Sequence, residues 1–236
     1  MYCTIDLGHS VGMALTDKTR TSRRVDYGVW PWALAAGGLL FLIGGALHPD
    51  EDSSLPEAEA TAESLGSATW IPSHALLLAG TIGFLIGLFA LARSRTPLSK
   101  AARRAAWIAA VGAVLFAVEG VFHLAAFADE QAALAGTDTP LLSTHMAMGL
   151  VAYPLFTFAV AALAVLSGRT LTHPVIGIIG AIGAVAFGVA PALVGLAGID
   201  ALGFLFPLGG IVMALWFTLI GVMALIRGSG RRKAAV

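Results

Sequence analysis

The chain has 236 residues, 58% of them hydrophobic and 12% charged, with a mean hydropathy of +0.85 and a formal net charge of zero. Soluble domains carry about 25% charged residues, so this composition excludes an ordinary water-soluble fold and makes lipid the solvent for most of the surface. The single cysteine, Cys3, excludes an intramolecular disulfide and any cysteine-based zinc or iron–sulfur site.

Residues 1–28 carry Lys18, Arg20, Arg23 and Arg24 without an apolar core, so they read as a cytoplasmic leader and not as a cleavable signal peptide. Met13 opens a more ordinary leader, and residues 1–12 are expected to be dispensable. Six apolar runs follow, near 29–47, 71–92, 105–128, 141–166, 174–199 and 201–226. Each is long enough to cross about 30 Å of hydrocarbon, which takes about 20 helical residues. The runs do not alternate, and backbone groups in lipid must be satisfied within the segment, so they are predicted to be helices. The fold class is therefore all-α polytopic membrane protein with six transmembrane helices. Between the first two runs, Ser54, Pro56 and Glu57 form a helix start and Leu65-Gly66 a helix stop. A short acidic helix is expected there, lying across the outer face as a lid, with Asp129 to Gly136 a less marked second candidate. Pro154, Pro191 and Pro207 are expected to kink their helices.

Loop charges alternate in sign. Loop 93–104 holds Arg93, Arg95, Lys100, Arg103 and Arg104; the connection near 167–173 holds Arg169; the tail 227–236 holds Arg227, Arg231, Arg232 and Lys233. Loop 48–70 holds Asp50, Glu51, Asp52, Glu57, Glu59 and Glu63; loop 129–140 holds Asp129, Glu130 and Asp138; Asp200 lies in the last hairpin. All 14 Lys and Arg thus fall on the side of the N-terminus. An excess of Lys and Arg marks cytoplasmic loops, so both termini are predicted inside and the protein in the cell membrane. Topology accounts for these basic loops, and no nucleic-acid partner is inferred.

An offset of 75 aligns the third run with the first. Trp32, Ala35, Gly37, Leu40, Phe41, Gly45 and His48 meet Trp107, Ala110, Gly112, Leu115, Phe116, Gly120 and His123, seven identities in 17 positions. Ser73-His74 and Thr144-His145 open the helices that follow. Residues 29–166 therefore read as a duplicated hairpin, of the parallel kind known in membrane proteins, forming a four-helix bundle. Residues 167–226 form a third hairpin, which keeps Gly183 and Phe187 but has no histidine within its runs. It is expected to support the bundle or to present a homo-oligomer surface through helices 5 and 6.

His48, His74, His123 and His145 fall at one end of four successive helices, and Glu119, the only charged residue within the six runs, lies one turn below His123. Ionisable residues inside a membrane face the bundle interior and mark functional sites by default. A lone interfacial histidine is usually only a polar residue at the boundary; four at equivalent ends, two of them related by the repeat, are read as one site. His9 and His173 are read as bystanders, and Met146 and Met148 as packing residues. Small residues on one stripe let helices approach closely, and Gly44, Gly45 and Gly120 are expected to leave room for a flat cofactor beside the histidines.

Several chemistries suit this set, and the sequence leaves them open. A haem b with bis-histidine ligation resembles the architecture of b-type membrane cytochromes and haem-processing membrane oxidases, with no shared motif to transfer residues. Alternatively His48, His74, His123, His145 and Glu119 hold an Fe, Cu or Zn ion directly, imidazole and carboxylate with an open position suiting oxygen chemistry. Either implies an oxidoreductase acting on a lipophilic small molecule or quinone-like redox partner. A metal-free isomerase or cyclase would use Glu119 as general acid. A transporter, channel or assembly subunit would use the same residues as a proton or cation path. No Walker, dinucleotide-binding, kinase or protease motif is present.

Overall fold

The computed structural model describes residues 28–50, 52 and 54–233. The leader up to residue 27 with His9, and Glu51, lie outside the described residues. The described chain is all helical: α1 (Trp30–Ala46), α2 (Glu57–Gly66), α3 (Trp70–Arg93), α4 (Lys100–Ala125), α5 (Glu130–Leu134), α6 (Pro140–Leu171), α7 (Pro174–Gly195) and α8 (Leu205–Lys233). Among these, α3, α4, α6, α7 and α8 are long and apolar enough to cross a membrane. The first apolar run folds into a helix of 17 residues, about 26 Å at 1.5 Å per residue. It stops early because His48 precedes Pro49, and proline disfavours helical backbone in the residue before it.

Local signals explain the other boundaries. The Ser99 hydroxyl accepts from Ala102 N–H at 3.1 Å and caps α4. Buried Asp129 accepts from the N–H groups of Leu141 and Leu142 at 2.8 and 2.9 Å, capping α6 across twelve residues of chain. His173, read as a bystander, caps α7 through Val175 N–H. Helices α6 and α7 run through Pro154 and Pro191. Pro207 falls in the first turn of α8, where the missing N–H has no helical partner to lose. At the arginine end, the Arg103 guanidinium donates to the carbonyls of Ala92, Ser94 and Thr96 at 2.6 to 2.9 Å, satisfying the C-terminus of α3. Arg227 does the same for α6 through Thr170 and Leu171.

The long helices form one closed ring in chain order, α1–α3–α4–α6–α7–α8, with α8 returning to α1. This corrects the expectation of a four-helix bundle with a third hairpin beside it: α7 and α8 complete the circle and share its core. The core is aromatic. Phe41, Phe116 and Phe187 form a triangle with centroids 6.1, 5.9 and 6.0 Å apart. Phe84, Phe156 and Phe217 form a second, with centroids 6.2, 4.3 and 6.4 Å apart. Each of the six helices donates one ring. Glycines bring the backbones together: a Cβ on Gly37 would stand 2.9 Å from Gly80 O, and one on Gly112 2.6 Å from Phe156 Cα. The outward faces carry exposed Ile, Val, Leu and Phe, including Ile108, Val111, Ile182 and Leu219.

The acidic helix α2 forms where its start and stop signals lie, with Glu57 and Glu59 in the first turn. The sequence reading makes it a lid over the histidines, but none of its residues lines the cavity beside them. Ala62 and Leu65 pack with Trp70, Ala126 and Ala133, against α5 and the turn before it.

Candidate metal centre

The four helices bring their histidines together at one end of the ring. Centroids of neighbouring imidazoles stand 4.8 Å apart for His48–His74, 4.1 Å for His74–His123 and 3.7 Å for His123–His145. His74 and His145 are buried, and His48 is the most open. Helical geometry explains the pairing of Glu119 with His123, four residues apart on one face of α4.

Two triads result, sharing His123. The ligand atoms of His48, His74 and His123 lie within 4.8 Å of one another, and so do those of Glu119, His123 and His145. His74 Nδ1 faces Trp70 O at 2.7 Å, and only a protonated Nδ1 donates there. Its Nε2 then carries the lone pair, and it points at His123 Nε2, 3.0 Å away. Two nitrogens at a tetrahedral angle around an ion, each about 2.0 Å from it, stand about 3.3 Å apart, close to this separation. The other nitrogen of His123, Nδ1, lies 4.0 Å from Glu119 Oε1.

Glu119 is fully buried. Its Oε1 accepts from the Tyr153 hydroxyl at 2.9 Å and meets His145 Nδ1 as an ion-pair contact outside hydrogen-bond geometry. Its Oε2 has no hydrogen-bond partner among the described residues. A buried carboxylate oxygen without a partner is costly, so this atom calls for a cation or a proton.

The imidazoles and Glu119 form the polar end of a cavity of about 520 Å³. Phe41, Phe116, Tyr153 and Phe187 wall it on one side, Leu77, Leu78 and Thr81 on another, and Phe206, Pro207, Gly210 and Ile211 of α8 on a third. Asp50 joins His48 at its rim. Gly45 and Gly120 line it, and a Cβ on Gly45 would meet nothing within 4 Å. Gly44 does not line it. A Cβ there would stand 2.8 Å from Ser73 O and Leu77 N, so this glycine serves the contact of α1 with α3 and leaves no room for a cofactor.

Two residues of the site escaped the sequence reading. Trp70 stacks on His74 at 4.0 Å between centroids, and its indole N–H donates to Leu124 O at 3.3 Å, tying α3 to α4. Tyr153 holds Glu119. Both had a signal in their spacing: Trp70 is four residues before His74 and Tyr153 eight after His145, on the same helix faces. Met146 points outward, 55% exposed, consistent with no role as a ligand. Comparison with protein-family models, curated proteins and solved structures found no match.

Proposed function

We propose that this chain is a six-span oxidoreductase of the cell membrane, both termini cytoplasmic, that holds a transition-metal ion and acts on a lipophilic small molecule. The observation that carries the reading is the Glu119–His123–His145 triad, with ligand atoms within 4.8 Å, at the polar end of an apolar cavity. Two histidines and one carboxylate with open positions are the donor set of non-haem iron oxygen chemistry. The carboxylate offsets the ion's charge where water is scarce. His74 and His48 stand beside it, as further ligands or as proton carriers at the rim. Tyr153 positions Glu119, and Trp70 orients His74.

A directly held ion fits better than bis-histidine haem. Two nitrogens on opposite faces of an iron at about 2 Å each stand about 4 Å apart with the macrocycle between them. His74 and His123 face each other at 3.0 Å and His123 stacks on His145 at 3.7 Å, which leaves no slot for a macrocycle between either pair.

The same reading treats the three hairpins as copies of one unit. Supporting it, the offset of 71 from Phe116 to Phe187 takes His123 to Val194 and Glu119 to Ala190. Two copies would then supply ligands, and the third, stripped of them, an apolar wall for substrate.

The test is the metal content and the visible and paramagnetic-resonance spectra of detergent-purified protein from metal-replete cells. Bound iron or copper that is lost in Glu119→Gln supports the reading; bound zinc lost in the same variant would keep the metal site and remove the oxidoreductase, because zinc has no redox chemistry. A Soret band would transfer it to haem, and a colourless, metal-free, active protein would overturn it. In that last case the unpartnered Oε2 and the Tyr153 hydroxyl favour Glu119 as general acid of an isomerase or cyclase.

A further inference from the structure

The seam between α1 and α8 is tight in one half and open in the other. On α1 the positions facing α8 are Pro31, Ala35, Gly38, Leu42 and Gly45; on α8 they are Gly221, Thr218, Ala214, Ile211 and Pro207, both in steps of three and four residues along one helix face. In the arginine half the backbones touch. A Cβ on Gly221 would stand 2.7 Å from Ala35 N, and one on Gly38 would reach Ala214 O at 2.5 Å. In the histidine half the backbones part, and a Cβ on Gly210 would meet α1 only at the Phe41 ring, 3.6 Å away. Gly45 is exposed with nothing within 4 Å of its Cβ position, Ile211 is 48% exposed, and both line the cavity. The early end of α1 at Ala46 widens the gap. What flanks it is apolar: Leu39, Ile43, Leu208 and Leu215 all stand exposed on the outer surface of the same two helices.

We infer that the cavity opens sideways into the bilayer through this α1–α8 seam, and that its occupant is a single-tailed lipid whose polar head reaches the histidines and Glu119 while its hydrocarbon tail lies across Gly45 and Ile211. The inference rests on the proposed function for what happens to the head, and on the seam alone for the path. About 520 Å³ holds a drug-sized head group. A tail crossing the seam continues into hydrocarbon, so the site selects the head and tolerates tails of different length. Burial of the tail costs nothing extra, because it passes from lipid into an apolar wall.

The experiment uses the full chain with its only cysteine replaced, Cys3→Ser, in phosphatidylcholine proteoliposomes. Single cysteines are placed at the seam (Gly45→Cys, Ile211→Cys), on the lipid face away from it on α4 (Val111→Cys) and at the polar rim (Asp50→Cys). Each is treated with bilayer-soluble pyrenyl maleimide or an impermeant sulfonated maleimide. A sulfonate entering hydrocarbon is strongly disfavoured, so both seam thiols should prefer the pyrenyl reagent by more than about tenfold, with the preference reversed at position 50. Farnesol added to the bilayer should slow pyrenyl labelling of Gly45→Cys several-fold and leave Val111→Cys unchanged. Seam thiols that react with the sulfonated reagent as fast as Asp50→Cys would make this an aqueous mouth and overturn the inference. So would seam thiols that react with neither reagent, or farnesol without effect at position 45. Metal content on the same preparations separates the two ideas: metal present with labelling failed removes the portal only, and labelling as expected without metal removes the redox reading only.

Discussion

Replacing His145 by alanine removes one of the three proposed ligands in the Glu119–His123–His145 triad and leaves the Trp70–His74 contacts untouched. Four-ligand zinc sites bind with about 10–16 kcal/mol, or about 2.5–4 kcal/mol per ligand. Three ligands then supply about 7.5–12 kcal/mol, a dissociation constant between about 3 μM and 2 nM, and the loss of one weakens binding about 10²–10³-fold. His123→Ala should do at least as much, because His123 belongs to both triads. His48→Ala, outside the carboxylate triad and at the open rim, should cost about tenfold, the low end of the 10–100-fold range of an outer-shell group. The assay is titration of metal-stripped protein in detergent with Co(II), read by its ligand-field bands, followed by displacement with Zn(II). Imidazoles must be unprotonated to bind, so affinity should fall as the solution is acidified. Wild-type affinity retained in His145→Ala and lost in His48→Ala would refute the assignment of the ion to the carboxylate triad. Failure of the wild-type protein to bind either ion would refute the metal centre.

Trp70→Phe keeps the stack on His74 but removes the N–H···O bond to Leu124; thermal unfolding in detergent should show a loss of about 1 kcal/mol, whereas Trp70→Ala should also lower metal affinity by about tenfold or less, by freeing the His74 ring beside the carboxylate triad. Arg103→Lys cannot reproduce the forked contact to three carbonyls and should destabilise by about 2–3 kcal/mol, while Arg104→Ala, at an exposed position, should stay within about 0.5 kcal/mol in the same measurement. Gly38→Val should force α1 away from α8 and cost about 1–3 kcal/mol or more, and Gly45→Val should be nearly neutral in stability; equal effects in chemical-denaturation curves would show that the seam is not tight in one half and open in the other.

Much was legible along the chain. Composition and run length alone make this a membrane-type helical protein, and each apolar run became a helix, because helix formation in an apolar solvent depends on local backbone satisfaction. The α2 boundaries followed from Pro56-Glu57 and Leu65-Gly66, signals read within a few residues. The histidines and Glu119 were legible as a set because polar groups are so scarce in the runs that position along the helix axis nearly defines them. What the sequence could not carry was azimuth. A helix apolar on every side has no preferred face, so which neighbour each helix touches is decided by where glycines meet backbones across the ring. Only the tertiary structure closed α8 onto α1, buried Gly44 against α3 while leaving Gly45 open, divided the four histidines and Glu119 into two triads joined at His123, and set Trp70 and Tyr153 behind them. Depth is a property of one segment; direction is a property of six packed together.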